Sequence, residues 1–486
     1  MENILSNTGQ YSGKRHKNVQ SFLGIPYAEP PIGKLRFKDP QKKNSSSIIP
    51  LRAEEYPPNP IQKGNIQINE DCLYLNIWKP AEINNNVPVM VWIYGGSFET
   101  GGIGEKGAGL GLTYDGTQLA KDTGCIIVTV NYRLNVFGFL DFSEFSDKFD
   151  SNLGIKDVIC ALEWIKTNIH EFGGNSQNVT LFGQSAGGML IATLNKVPTA
   201  QHLYHKIIIE SACIESLYTK EEARELALTY LKLLNLTEKS VDELLTLSPD
   251  RLLSVIKKLE EHVRSKMLGI TTFCPVIDKK FLTGVVYKGN FKSNKPMIIG
   301  STKNEARLFV KFSKDISEEK GERFFPYSSK ETREEIISKY PNFPNFIENS
   351  QLATDIMYTI PKYWLADTYS KNNDVYVYRF DFSSGFFKFL NLRASHIVDV
   401  PIQFGIGSYL YIGNIHTAKR IGKKIRTSLG LFAKTGNPND GDSLWKKYSE
   451  AQPNVVLINK DIHLENDPDR STKQLYKNFN SFFHES

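Results

Sequence analysis

Residues 178–190 read NVTLFGQSAGGML. Strand-like residues, NVTLF, lead into a corner of Gly, Gln, Ser and Ala, and an apolar helix resumes at about Ala186. A chain that reverses this sharply forces the corner residue into strained dihedrals. A Cβ two positions before or after it would collide with neighbouring backbone, which accounts for Gly183 and Gly187. The geometry projects the Ser185 hydroxyl from a sheet edge, beside the Ala186 amide and the positive end of the helix.

Working outward, the flanking segments repeat one theme. VPVMVWIY (87–94) and CIIVTVNY (125–132) are continuous apolar runs of the kind buried on both faces of a sheet. After DSNLG, Val158, Leu162, Ile165 and Ile169 recur at helical spacing, and Gly173-Gly174 closes that helix. KIIIESA (206–212), KPMIIG (295–300) and DVYVYRFDF (374–382) read as further strands. Helices are expected at HTAKRIGKKIRTSLGLFAKTG (416–436) and TKQLYKNFNSFF (472–483). The opening SGKRHKNVQSFLGIPYAEPPIGKLRF (12–37) reads as short strands followed by a Pro-rich loop. Strand and helix alternating in this way predict an α/β fold with a mostly parallel central sheet flanked by helices. From about 217 to 269 the texture changes to charged amphipathic helices, with capping boxes expected at Thr219/Glu222 and Ser240/Glu243. That stretch is expected to be a helical insertion in a single domain spanning residues 1–486.

Composition narrows the function classes. With 40% apolar residues, 29 Phe and 22 Tyr, the 486-residue chain can build a large core. Its 59 basic and 53 acidic side chains leave +6 without a long run of one sign, so no nucleic-acid footprint is present. The polar segment after Met1 and the lack of a long apolar run give the expectation of a soluble, cytoplasmic protein that does not engage membranes. Five widely spaced cysteines, Cys72, Cys125, Cys160, Cys213 and Cys274, lack metal-type spacing and are expected to be reduced.

The Gly183–Gly187 pattern G-x-S-x-G is weak alone, since chance yields roughly 0.2 matches in a chain of this length. Its place between a strand and a helix is what the nucleophile elbow requires. A serine hydroxyl attacks a carbonyl only if a base takes its proton and donors receive the developing negative charge. VWIYGGSFETGG (91–102) offers such donors, because Gly95, Gly96 and Ser97 end an apolar strand with bare backbone amides.

Taken in order, FLGIPYAEPPIGKLRF, EDCLYLNIW, VWIYGGSF, NYRLNVFGFL, NIHEFGGNSQNVTLFGQSAGG, GSTKNEA, SHIVDVPIQFG and FAKTGNPN resemble the type-B carboxylesterases. These are the cholinesterase-like branch of the α/β-hydrolases, and the chain looks most similar to the bacterial para-nitrobenzyl esterases among them. The resemblance implies the α/β-hydrolase fold and hydrolysis of small-molecule carboxylic esters through an acyl-enzyme, with no cofactor and no metal. It places the nucleophile on Ser185, the acid on Glu305 and the base on His396, with Gly96, Ser97 and Ala186 forming the oxyanion hole. His396 has rivals in His416, His463 and His484. The loop setting favours His396, since loops carry catalytic groups more often than helices or charged tails do. The resemblance also implies scaffold ion pairs, Arg36–Glu70 and Arg133–Asp157, and a serine behind the site at Ser211. Amide, carbamate or thioester hydrolysis would use the same machinery. A non-catalytic binding protein of this fold would ordinarily lack one of Ser185, Glu305 and His396.

Some positions depart from the family pattern. Ser97 stands where Gly is usual; its amide can still donate if the backbone there does not need positive φ, and its hydroxyl could narrow the site. Gln184 replaces the acidic residue common before the nucleophile, Ala306 a Gly after the acid, and Asp399 a Glu after the base. Phe98, Phe273 and Phe386 are candidates for the pocket wall, with core packing as their default role.

Overall fold

The computed structural model describes residues 3–43, 51–64, 66–82, 85–266, 268, 271–289, 291, 294–312, 322–441 and 443–479. Among these, eleven strands form one sheet: β1 (Lys14–His16), β2 (Val19–Pro26), β3 (Tyr74–Pro80), β4 (Val87–Ile93), β5 (Ile126–Val130), β6 (Gly174–Gln184), β7 (Lys206–Glu210), β8 (Met297–Thr302), β9 (Val375–Phe380), β10 (Asn454–Ile458) and β11 (Ile462–Asn466). Their spatial order is β11-β10-β9-β8-β7-β6-β4-β5-β3-β2-β1. From β5 to β10 every neighbouring pair is parallel, and both flanks finish in antiparallel strands. The expected mostly parallel sheet is therefore present.

Burial explains why these runs are strands. Every residue of β5, β7 and β8 is buried, as suits parallel strands covered by helices on both faces. The covering helices include α1 (Leu153–Asn168), α2 (Ala186–Leu194) and, further along, the 21-residue helix Ile415–Thr435. After α1 a short 3-10 turn ends at Gly173, whose φ of 84° closes the helix in the left-handed region, as the sequence predicts. The terminal helix is shorter than expected, Arg470–Leu475, and residues 480–483 of that expectation lie outside the described residues.

The insertion is helical, with α3 (Lys220–Leu233), α4 (Ile256–Lys266) and shorter turns between them. Thr219 and Glu222 form the predicted capping box. The box expected at Ser240/Glu243 lies one turn earlier. Thr237 is the cap, and Ser240 takes the reciprocal position by accepting from the Thr237 amide at 2.9 Å. Ser240 sits at a kink inside this segment, with φ −108° and ψ 15°. Just beyond this stretch, the Asn152 side chain at the start of α1 exchanges hydrogen bonds with the backbone of Val276 at 2.8 and 2.9 Å.

Both ion pairs implied by the resemblance are formed. Arg133 and Asp157 meet through Nε–Oδ2 (2.8 Å) and Nη2–Oδ1 (2.6 Å), fully inside the protein. Arg36 grips both oxygens of Glu70 and also donates to the carbonyls of Leu245 and Leu247 in the insertion.

Candidate active site

Ser185 sits at the junction of β6 and α2 with φ 58° and ψ −126°, a strained conformation for a residue with a side chain. The flanking glycines are there because β4 passes close by. A Cβ on Gly183 would lie 2.6 Å from the Ile93 carbonyl oxygen, and one on Gly187 only 2.0 Å from it. The corner is held by its own backbone: Ser185 N donates to Glu210 O (2.8 Å) and Met189 N to Ser185 O (2.9 Å).

Glu305 follows β8 by one turn and is fully buried. The Thr302 amide donates to its Oε1 at 2.6 Å, and its Oε2 lies 2.6 Å from His396 Nδ1. The backbone joins the same two residues, with His396 N donating to Glu305 O at 3.3 Å. The imidazole packs against the rings of Phe309 and Tyr358, whose centroids are 5.1 and 5.3 Å away and which also stack on each other at 6.4 Å. A carboxylate on Nδ1 fixes the proton there, which leaves Nε2 with a lone pair. Gln184 Nε2 lies 3.0 Å from that Nε2. The rivals are elsewhere: His416 is exposed at the start of its helix, His463 is exposed beside Glu465, and His484 lies outside the described residues.

The loop after β4 lies against this corner. A Cβ on Gly95 would meet Gln184 O at 2.6 Å and Ser185 Cβ at 2.7 Å, and one on Gly96 would meet Thr100 O at 2.1 Å. Ser97 and Phe98 follow with φ of 58° and 59°. The backbone at Ser97 thus does require positive φ, contrary to the condition the sequence set for it. The residue tolerates it as a small side chain at a turn. Among the described residues, the amides of Gly96, Ser97 and Ala186 donate to no protein acceptor. Ala186 is buried, and buried backbone donors are seldom left so.

Ser185, Ala186, Ser97 and Phe98 share a cavity of about 170 Å³ with Met189, Phe309, Met357 and Tyr358. Of the aromatic candidates, Phe98 lines this cavity and packs on Phe139 (4.3 Å between centroids), Phe273 is wholly buried, and Phe386 is exposed. The outer wall comes from Glu260, Arg264 and Leu268 of the 217–269 stretch and from Thr271 and Thr272 just beyond it. Burial and the neighbouring Glu260 push Glu99 up to about 8, so this wall carries less negative charge than its carboxyls suggest. Burial pushes the Cys213 thiol up to about 12, which leaves it a poor rival nucleophile. Ser211 is buried at the end of β7 with φ 50°, its amide donating to Gly300 O at 2.8 Å.

Sequence reasoning missed Phe309 and Tyr358, the rings that pack against His396. Tyr358 lies in a π turn, Asp355–Thr359, that interrupts one long helical path. Pro361, just beyond it, was the available signal. It has no N–H and crowds the preceding turn, and the wider turn relieves both. It also missed the insertion residues on the cavity wall, which no local pattern marks.

The carboxylesterase family model matches residues 3–480. The para-nitrobenzyl esterase of Bacillus subtilis (strain 168) is 33% identical over 97% of this chain and 97% of its own. The acetylcholinesterase of Bungarus fasciatus is 30% identical over 91% of this chain and 79% of its own. Among solved structures, a PNB esterase superposes with a TM-score of 0.85 at 32% identity, covering 98% of this chain and 99% of the other. A carboxylesterase from Geobacillus stearothermophilus does so with 0.85 at 27% identity, covering 98% and 99%.

Proposed function

Because the chain belongs to the carboxylesterase family and is a serine hydrolase of carboxylic esters on the α/β-hydrolase fold, we propose that Ser185, His396 and Glu305 are its catalytic residues. The observation that carries this assignment is the strained Ser185 corner opening on the same cavity wall, Phe309 and Tyr358, that packs against the Glu305-bound imidazole.

The lone pair on His396 Nε2 takes the Ser185 proton as Oγ adds to the ester carbonyl carbon. Glu305, accepting from Nδ1–H, stabilises the imidazolium that forms. Negative charge on the carbonyl oxygen is received by the amides of Gly96, Ser97 and Ala186, with the α2 N-terminus behind them. When the tetrahedral adduct collapses, Nε2–H passes its proton to the leaving alcohol and the acyl group stays on Ser185. Water, deprotonated by the same nitrogen, then attacks the acyl carbon; as the acyl–Oγ bond breaks, Nε2–H returns the proton to Ser185 and the acid is released. Each proton has a donor and an acceptor in the chain, so the scheme calls on no cofactor.

The cavity supports an ester of modest size with an apolar acyl group, since Phe98, Met189, Phe309 and Met357 face it. We read residues 1–486 as one unit with 217–269 as an insertion; the single sheet running from β1 to β11 supports this. We also read the protein as cytoplasmic. Free thiols at all five cysteines suit a reducing compartment. Among the described residues, no helix is long and apolar enough to cross a membrane.

The test is Ser185→Ala together with an organophosphonate. The wild-type protein is expected to label on Ser185, and the variant to lose about 10⁶ in kcat while melting as before. Turnover by the variant close to wild type, or a label on another residue, overturns the assignment.

A further inference from the structure

In the resting protein, the nitrogen that must take the Ser185 proton already has a partner. Gln184 Nε2 lies 3.0 Å from His396 Nε2, with the two residues 2% and 5% exposed. With Nδ1 bound to Glu305 Oε2, Nε2 has only a lone pair to offer, and an amide N–H fills that need by donating. Among the described residues, Ser185 Oγ makes no hydrogen bond. Consecutive side chains of the corner thus have claims on one lone pair, and the non-reacting one holds it.

Resting on the triad reading above, we propose that Gln184 is a positioning residue that occupies the lone pair of His396 in the free enzyme, holds the ring in its Nδ1–H tautomer, and competes with the Ser185 hydroxyl until an ester fills the cavity. Only a side chain that donates can do this. A carboxylate at position 184 would accept instead, favouring a protonated ring, and a thioether of the same length would leave the lone pair open to Ser185.

The surroundings make the difference readable. Glu305 faces the ring on Nδ1, Asp399 acts on it from its own loop, and Tyr358 packs on its face. Lys362 and Tyr378 feel the charge of Glu305 from behind, and Glu210 that of Asp399. Gln184 contributes a dipole but no charge. Gln184→Met therefore removes the competitor without changing the local charge, whereas Gln184→Glu adds one.

The test compares wild type, Gln184→Met and Gln184→Glu. The readouts are the second-order rate of Ser185 phosphonylation by a small organophosphonate, followed by intact mass, and the pH profile of kcat/KM on a small chromogenic acetate ester. Gln184→Met is expected to label about two- to tenfold faster than wild type, the factor that a single neutral hydrogen bond represents. Gln184→Glu is expected to move the acid limb of kcat/KM to higher pH by about one unit or more. A Gln184→Met rate at or below wild type in a protein that melts normally overturns the proposal. So does an acid limb in Gln184→Glu that superimposes on the wild-type limb, and this profile decides alone if the Met variant fails to fold. If wild type does not label on Ser185 at all, it is the triad reading that has failed, and the two failures are told apart.

Discussion

His396 Nδ1 stands 2.6 Å from Glu305 Oε2, and the other oxygen of that carboxylate is held by the Thr302 amide. The acid is therefore anchored before it orients anything, and the imidazole inherits its tautomer from it. Glu305→Gln keeps the shape but replaces the accepting oxygen with an amide that can turn an N–H toward Nδ1, favouring the wrong tautomer. The expected outcome is a loss of about 10⁴ in kcat with little change in KM or melting temperature, measured by steady-state kinetics on a chromogenic ester. A loss below tenfold means that another carboxyl orients the base.

Ser97 holds φ 58° in the loop proposed to supply the oxyanion donors. Glycine adopts that conformation without strain but loses more freedom on folding, so the two effects nearly cancel. Ser97→Gly is expected to change unfolding free energy by less than about 1 kcal/mol and to keep or raise turnover on bulky acyl esters. Ser97→Val places a β-branched side chain in the same region and is expected to pull the amide out of line, costing about 10² to 10³ in kcat. A large loss in the glycine variant means that the serine hydroxyl itself takes part.

The parts of the fold legible in the sequence are those with local causes. Gly183 and Gly187 are required by the approach of Ile93, and the all-buried strands β5, β7 and β8 show as unbroken apolar runs. The candidate site residues could be named from the sequence because they sit in ordered motif blocks. What stayed hidden depends on packing between distant segments. Phe309 and Tyr358 reach His396 only once the helices after β8 fold back over it; Pro361 marks the turn that carries Tyr358 but not its contact with the imidazole. Ser240 was misplaced as a cap for a related reason. Ser and Thr compete for the same role over a few residues, and the choice of Thr237 is made by the kink, which the pattern does not encode.

Arg36 binds Glu70 and the carbonyls of Leu245 and Leu247 at once, so one guanidinium fastens the insertion to the amino-terminal loop. Arg36→Met is expected to cost about 3 kcal/mol, because it strands a mostly buried carboxylate along with two carbonyls. The loss should be local first: amide exchange across 220–266 is expected to quicken more than exchange in β5 or β7, as followed by mass spectrometry. Uniform quickening of every segment would mean that the contact serves global stability alone.

Asp399, three residues after His396 and buried, is pushed up to about 7 by burial first and by the charge of Glu305 second, and its Oδ1 has no hydrogen-bond partner among the described residues. A carboxyl whose folded-state value lies above its unfolded value binds its proton more tightly when folded. Its contribution to stability is thus complete below about pH 4 and is lost as pH rises from about 4 through about 7. Asn at this position stays neutral throughout. Asp399→Asn is therefore expected to be close to wild type in unfolding free energy at pH 4.5 and to gain on it steadily up to pH 8, by on the order of 2–4 kcal/mol. Urea titrations of both proteins across that range check this. A difference between them that does not vary with pH would mean that the carboxyl is already ionised in the folded protein, paired by a group other than those facing it here.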